Sequence, residues 1–279
     1  MSEIRIDALL PAEMATRAAY VGERKAEAPA LTMFTLSVLA GAFIALGAVF
    51  ATNTAAGTGE LPFGIAKLLT GLVFCLGLIL VIVGGAELFT GNNLIVMAWA
   101  SGKVSTRSLL RNWVIVYIGN FVGSLGTALL VFWSKQYTFG GGAVGETALK
   151  IASGKASLDF FQALALGVLC NALVCLAVWL TFSARSTIDK IAAIIFPITA
   201  FVAAGFEHSI ANMYFIPYGL IIKAFDPAFV AERGLDLSNL TWGNFLVNNL
   251  LPVTIGNIIG GAVLVAAIYW SVFLRNKEI

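Results

Sequence analysis

Ionisable side chains stand inside apolar runs at two places in this sequence. Glu87 follows the run 78–86, and Glu207-His208-Ser209 follows the run 191–206. His208 is the only histidine among 279 residues. A charged side chain inside a membrane span costs roughly 2.5–3.5 kcal/mol on insertion scales, so such residues are rare and usually functional. The two sites together predict a path through a membrane.

The composition favours a polytopic membrane protein and excludes several other classes. The chain is 59% hydrophobic and 11% charged, against about 25% charged in soluble domains. A net charge of +2 offers no basic surface for nucleic acid. Cys75, Cys170 and Cys175 lack metal-ligand spacing and are interpreted as buried thiols. The sequence has no nucleotide motif or metal cluster, so we expect no cofactor and no enzyme.

Six apolar stretches are long enough to cross a membrane, since about 20 residues span roughly 30 Å of hydrocarbon. They cover about 31–52, 67–98, 112–133, 159–182, 189–222 and 245–274. The second and fifth are too long for one straight helix, and each is interrupted by its glutamate. We therefore expect an all-α fold with six spans and broken second and fifth helices. Residues 1–30 are predicted to form a cytoplasmic N-terminal helix, and residues 31–279 the six-span domain.

The two halves of the six-span domain contain matching motifs in the same order. The segment 84–92 matches 204–212, with an acid followed five residues later by asparagine, and Ile-Gly-Asn-x-x-Gly occurs at 118–123 and 255–260. The first and fourth spans show no matching residues. Each half has three spans, so the second half enters from the opposite face. This predicts an inverted repeat of about 31–133 and 159–274, with the functional site near the midplane.

The breaks are the candidate site. Free amide groups where a half-helix starts carry partial positive charge and suit a small anion. Asn92, Asn212, Thr90 and Ser209 are expected to satisfy the other freed backbone groups. The paired Gly-x-x-x-Gly motifs predict tight helix contacts, either within a protomer or between subunits. Glu87 and Glu207 could accept hydrogen bonds or transfer protons.

The distribution of basic residues predicts the orientation. With the N-terminus inside, eleven lysines and arginines fall on the inner side and six on the outer. Basic residues collect on the cytoplasmic side of membrane proteins. Both termini are therefore expected to be cytoplasmic.

Four segments carry a resemblance to a known family: Ala86-Glu-Leu-Phe-Thr90, the segment 171–179, Gly205-Phe-Glu-His-Ser-Ile-Ala-Asn212 and the segment 251–261. The chain resembles the formate/nitrite transporter family. This resemblance implies an aquaporin-like fold in a bacterial-type inner membrane, assembled as a homopentamer with one pore per subunit. It implies passage of formate and related small monovalent anions, such as nitrite, acetate or hydrosulfide. A cytoplasmic partner at residues 1–30 is left open.

The resemblance also implies roles for individual residues. Its apolar constrictions correspond to Phe74, Leu78, Leu88, Phe89 and Phe201. Its polar pore groups correspond to Thr90, Asn171 and His208, and the same signature contains Glu207 and Asn212. Lys155, just before the fourth span, could gather anions at the outer mouth or be a plain flanking charge. Phe201 lies six residues before Glu207, which by counting places it on the cytoplasmic approach.

Electrostatics gives a reason for a histidine on such a path. Moving a bare carboxylate into a low-dielectric constriction costs on the order of 20 kcal/mol in the idealised limit. Protonating an acid of pKa ~4 at pH 7 costs only about 4 kcal/mol. Histidine normally titrates near ~6.5, so His208 could lend formate that proton. Alternatives are a nitrite or hydrosulfide channel, an aquaporin-type pore for neutral solutes, and a membrane enzyme using His208 and Glu207. The breaks contain no Asn-Pro-Ala pair and no arginine, which counts against an aquaporin-type pore.

Overall fold

A computed structural model describes residues 8–275. The described chain is helical throughout its regular elements. Arg5 and Lys277, which contributed to the predicted orientation, lie outside the described residues, as do residues 1–7 of the predicted N-terminal helix.

Eleven helices account for the regular structure of the described range, if the π-helical turns of the last are counted as part of it. They are α1 (Pro11–Glu27), α2 (Ala30–Ala55), α3 (Phe63–Gly84), α4 (Val96–Ala100), α5 (Thr106–Trp133), α6 (Ala143–Ala156), α7 (Phe160–Ser183), α8 (Thr187–Ala203), α9 (Ser209–Phe225), α10 (Pro227–Arg233) and α11 (Asn244–Phe273). Short 3-10 turns occupy Gly91–Ile95 and Gln136–Thr138.

Apolar helices form the membrane-spanning part. Within residues 8–275, α2, α3, α5, α7 and α11 are each long and apolar enough to cross a bilayer, and α9 with α10, bent by 102°, is a sixth candidate. Large apolar side chains such as Leu46, Leu130 and Phe161 are exposed on the outer surface of the bundle. Helices satisfy their own backbone groups, which is why they can stand in lipid. The predicted all-α membrane fold is confirmed.

Both predicted breaks are present. The second span consists of α3, a non-helical segment, the turn Gly91–Ile95 and α4, and the fifth consists of α8, a non-helical segment and α9. The first break begins at Gly85 (φ 76°) and the second contains Gly205 (φ 73°). Only glycine adopts this left-handed conformation without strain, so the glycines let each chain leave its helix.

The Gly-x-x-x-Gly motifs pack within the protomer. A Cβ on Gly123 would strike the carbonyl of Val38 in α2, and a Cβ on Gly260 would strike the carbonyl of Val168 in α7. The motif on α5 therefore lets α2 approach, and the motif on α11 lets α7 approach. Between the two alternatives from the sequence, the described chain shows the contact inside one protomer.

Matching hydrogen bonds relate the first and fourth spans, where the sequence shows no matching residues. The Glu87 N–H donates to the carbonyl of Leu36 in α2 over 3.2 Å, and the Glu207 N–H donates to the carbonyl of Leu166 in α7 over 3.3 Å. Because these are backbone bonds, they need no particular side chain. The repeat is preserved in geometry where the side chains have diverged.

Candidate functional site

Two cavities enter the bundle from opposite ends of α3 and α8. One, of about 230 Å³, lies beside α1 and is called the α1 cavity; Gly85 and Lys190 line it. The other, of about 610 Å³, lies beside α6 and is called the α6 cavity; Lys67 and Phe201 line it. Lys67 and Gly85 are about 18 residues apart along α3, a rise of about 27 Å. The cavities therefore face opposite sides of the membrane.

An apolar layer separates the two cavities. On α3, Phe74 lines the α6 cavity and Leu78, one turn later, lines the α1 cavity. Leu88 in the first break also lines the α1 cavity, whereas Phe201 lines the α6 cavity beside Phe74, with ring centroids 5.7 Å apart. All four side chains are buried. Such a layer resists hydration and can close a pore by dewetting.

Thr90 and His208 join the two breaks beside this layer; His208 lines the α6 cavity, whereas Thr90 is fully buried and lines neither cavity. The Oγ1 of Thr90 lies 3.0 Å from Nε2 of His208. The Ala211 N–H donates to the other ring nitrogen, Nδ1, over 3.1 Å. Since a backbone N–H can only donate, Nδ1 is unprotonated and the neutral ring carries its proton on Nε2. Nε2 then donates to the Thr90 hydroxyl.

The first break is held by a polar cluster around Glu87. Lys25 of α1 forms an ion pair with the Glu87 carboxylate over 2.9 Å. The Asn92 amide donates to the second carboxylate oxygen over 2.7 Å and to Asn112 of α5 over 2.9 Å. Asn112 in turn donates to the Lys25 carbonyl over 3.0 Å. The cluster fixes α1, the break and α5 to one another.

The second break is held by the same cluster, built from different parts of the chain. Lys155 of α6 pairs with Glu207 over 2.6 Å. Asn212 donates to Glu207 and to Asn249 of α11, each over 2.7 Å, and Asn249 donates to the Lys155 carbonyl over 2.9 Å. The ion pair at Lys155 lies in the α6 cavity, and its counterpart at Lys25 lies in the α1 cavity. The inverted repeat therefore also relates α1 to α6.

One asparagine in each half satisfies the freed backbone groups of its break. Asn120 accepts from the Phe89 N–H over 2.9 Å and donates to the Glu87 carbonyl over 2.9 Å. Asn257 does the same for the Ser209 N–H and the Glu207 carbonyl, over 2.9 and 3.0 Å.

The sequence assigned this backbone role to other residues, and that expectation is wrong. Asn92 and Asn212 instead bond the glutamate carboxylates, because their side chains lie beside those acids in the folded break. The Thr90 hydroxyl bonds His208, and within the described residues the Ser209 hydroxyl has no hydrogen-bond partner.

Asn171 lies between the two breaks rather than on a cavity wall. Its amide donates to the carbonyls of Thr90 (3.3 Å) and Asn257 (2.7 Å) and to Asn93 Oδ1 (3.3 Å). The side chain is fully buried and lines neither cavity. Asn171 therefore links Thr90 of the first break to Asn257, the residue that supports the second break.

Phe89 does not join the apolar layer, which corrects the sequence-based expectation. Its ring packs edge-to-face on Tyr117 and Trp113 of α5, with centroids 4.9 and 6.0 Å away. It lines neither the α1 nor the α6 cavity. The neighbouring Leu88 faces the α1 cavity, and in this non-helical segment the next side chain points away from it.

Phe201 lies in the α6 cavity, whereas counting residues placed it on the same side as the N-terminal helix α1. Lys190, near the start of α8, lines the α1 cavity, whereas Phe201, near the end of α8, lines the α6 cavity. Eleven residues of helix rise by about 16 Å, enough to carry the chain past the midplane. Phe201 therefore lies on the side of the apolar layer opposite to α1.

Sequence reasoning missed the structural part played by Lys25, Asn112 and Asn249. One usable signal was present: Asn112 and Asn120 are eight residues apart, as are Asn249 and Asn257. Lys25 could not be found in this way, because the spacing between lysine and glutamate differs between the two halves. Lys25 precedes Glu87 by 62 residues, whereas Lys155 precedes Glu207 by 52.

Comparison with known proteins places this geometry in a family. The formate/nitrite transporter family model matches residues 12–271. The chain is 47% identical to the formate channel FocA of Escherichia coli strain K12, over 98% of this chain and 97% of that one. It is 42% identical to the formate channel FocA of Haemophilus influenzae, over 92% of each chain.

A solved structure described as a pentameric formate channel with formate bound matches with a TM-score of 0.83 at 47% identity, covering 88% of this chain and 98% of that one. The two chains therefore share one fold over most of their length. This chain belongs to the formate/nitrite transporter family.

Proposed function

We propose that this protein is a membrane channel for formate and related small monovalent anions. Supporting this are the named formate channels among its relatives and two opposed cavities, each lined by two or more lysines. The observation that carries the proposal is the Thr90–His208 contact at the layer between the cavities. An anion that crosses this layer must pass a proton-carrying nitrogen in an otherwise apolar region.

The proposed mechanism neutralises the substrate at His208. A formate anion beside the ring favours the imidazolium form, since an opposite charge nearby stabilises a cation. The imidazolium then gives its proton to the formate oxygen, leaving neutral formic acid and a neutral ring. Formic acid passes the leucine and phenylalanine side chains, and a proton from water in either cavity recharges the ring. The neutral ring bonded to Thr90 and Ala211 is the resting state, and formation of the imidazolium adds a proton to Nδ1 in place of its hydrogen bond from the Ala211 N–H.

The proposed assembly is a homopentamer with one pore per protomer, in a bacterial inner membrane with both termini in the cytoplasm. Support comes from the pentameric relative and from the excess of basic residues on the α1 side. In this arrangement the α1 cavity faces the cytoplasm and the α6 cavity faces outward. Residues 8–30, which include α1, are then a cytoplasmic element available to lipid headgroups or a protein partner.

Uptake of radiolabelled formate into proteoliposomes tests the function. We expect uptake to exceed that of protein-free vesicles, to rise as the external pH falls, and to be reduced by unlabelled acetate and nitrite. Uptake equal to protein-free vesicles would reject the proposal. Competition by nitrite that is stronger than competition by formate itself would identify a nitrite channel.

A further inference from the structure

The α6 cavity contains more positive charge than its buried ion pair uses. Lys67, Lys150 and Lys155 line it, together with one acid, Glu207. Lys155 donates to Glu207 over 2.6 Å, and the Lys155 and Glu207 side chains are 18% and 4% exposed. Lys155 therefore holds the second break, and the Glu207 carboxylate largely neutralises its positive charge. The cations left to act on a solute are Lys67 and Lys150.

Lys150 is partly compensated as well. It pairs with Glu146, one helical turn earlier on α6, over 2.6 Å. The Lys150 ammonium lowers the pKa of Glu146 below its usual range, so this acid stays ionised beside it. The pair is exposed to solvent, with side chains 61% and 33% accessible, so solvent and salt weaken its field.

Lys67 differs from both other lysines. Among the described residues no carboxylate lies within ion-pair distance of it, and its ammonium stands 5.6 Å from the centre of the Phe63 ring. It is half-buried at the outer end of α3, seven residues before Phe74 on the same helix. Seven residues make two helical turns, so Lys67 and Phe74 lie on one face of α3 about 10 Å apart in rise.

We propose that Lys67 is the residue that draws substrate anions into the α6 cavity. This inference rests on the proposed function. An uncompensated cation on the wall of a low-dielectric cleft raises the local anion concentration and thus the association rate. Lys67 and Phe74 line the same cavity two helical turns apart, so an anion attracted by the lysine lies close to the apolar layer. Lys155, which the sequence suggested for this role, instead positions Glu207.

Vesicles of both orientations test the proposal. Initial formate uptake at low concentration is measured in right-side-out and inside-out vesicles carrying the wild type, Lys67→Gln, Lys67→Glu or Lys67→Arg. We expect uptake through the α6 face to fall about threefold or more in Lys67→Gln and further in Lys67→Glu, with Lys67→Arg close to wild type. Uptake through the α1 face should fall equally, because a passive pore has the same permeability in both directions at low concentration, whereas the rate at saturating formate should change little. Salt of about 0.5 M should reduce the difference in uptake between the wild type and the variants, because it shortens the distance over which a charge acts to a few ångströms.

Lys135→Gln is the matched control, because Lys135 follows α5 on the α6 face but does not line the α6 cavity. It should leave uptake unchanged. Equal uptake by the wild type and Lys67→Glu at low formate and low salt would overturn the proposal and make Lys67 a membrane-flanking charge. A loss of uptake that high salt does not reduce would also overturn it. A wild-type protein without formate transport would reject the proposed function instead.

Discussion

Thr90 Oγ1 and His208 Nε2 lie 3.0 Å apart, and this contact joins the breaks of two spans from opposite halves of the inverted repeat. Each of the two residues is also fixed by a second hydrogen bond. Asn171 donates to the Thr90 carbonyl, and the Ala211 N–H fixes Nδ1 of His208. Since both partners are buried, a hydroxyl and an imidazole are pre-positioned where an anion would lose its water.

Replacing the imidazole should remove the dependence of formate uptake on protons. In His208→Ala we expect the folded oligomer to persist and the pH-dependent part of uptake between pH ~5 and ~8 to disappear, because no group remains at the apolar layer that titrates in this range. Initial uptake rates across that pH range, normalised to reconstituted oligomer, measure this.

Thr90→Val is the companion variant, since it keeps the shape of the side chain and removes the acceptor of Nε2. It should slow uptake but retain the pH dependence, because the titrating ring is still present. Wild-type rates with an unaltered pH profile in His208→Ala would refute the assigned role.

Removal of the Phe201 ring should loosen selectivity. The ring packs against Phe74 and lies 5.9 Å from the His208 ring, so Phe201→Ala widens the α6 cavity at its floor. We expect a higher ratio of acetate to formate uptake, with a loss of stability up to ~3–5 kcal/mol from the cavity left behind. Phe196→Ala is the control, because that ring, on the same helix, is 81% exposed. An acetate-to-formate ratio equal in both variants would show that Phe201 is only a packing residue.

The Lys155–Glu207 pair should behave as a buried ion pair in a double-mutant cycle. Removing one partner leaves an uncompensated buried charge, at a cost of about 3–5 kcal/mol, whereas removing both costs much less. We expect Lys155→Met to lower the midpoint of thermal unfolding more than Lys155→Met combined with Glu207→Gln. The Lys25–Glu87 pair is more exposed, at 30% and 11% against 18% and 4%, so Lys25→Met should be milder. Additive effects of the two changes at Lys155 and Glu207 would mean that the pair is not coupled.

The sequence predicted those parts of the molecule in which a residue type is energetically unfavourable at its position. Glu87, Glu207 and His208 are unfavourable in an apolar run, so their positions, together with the length of the two runs, predicted the breaks. Phe89 could not be assigned in this way, because a phenylalanine is equally favourable facing the pore, the core or lipid. Lys25 could not be linked to Glu87 either, since a lysine just outside a span is ordinary and only folding brings it to the acid. The side of Phe201 failed for a different reason: counting residues does not reveal how far α8 runs before it breaks.

Cysteine accessibility should report the predicted topology. The native cysteines are all buried, so they give little background. Lys103→Cys should react with a membrane-impermeant reagent only from the inside, and Ser238→Cys, an exposed site on the α6 side, only from the outside. Gly142 and Gly234 are less suitable positions because their φ values of 89° and 61° would strain a cysteine. Labelling of residue 103 and residue 238 from the same side would contradict the inverted repeat.

Replacement by alanine should destabilise the protein at one glycine of α5 and have little effect at another. A Cβ on Gly123 would collide with the Val38 carbonyl and come within 2.9 Å of the Ala42 nitrogen, both backbone atoms of α2. Backbone cannot move aside as a side chain can, so Gly123→Ala must push α2 and α5 apart, at a cost of about 1–3 kcal/mol or more. A Cβ on Gly126 would meet no atom within 4 Å, and we expect Gly126→Ala to keep stability within about 1 kcal/mol of wild type. Thermal unfolding of the purified oligomer compares the two. If Gly123→Ala unfolds at the wild-type temperature, α2 is not held against α5 as described here, and the support of the first break by Leu36 would have to be reconsidered.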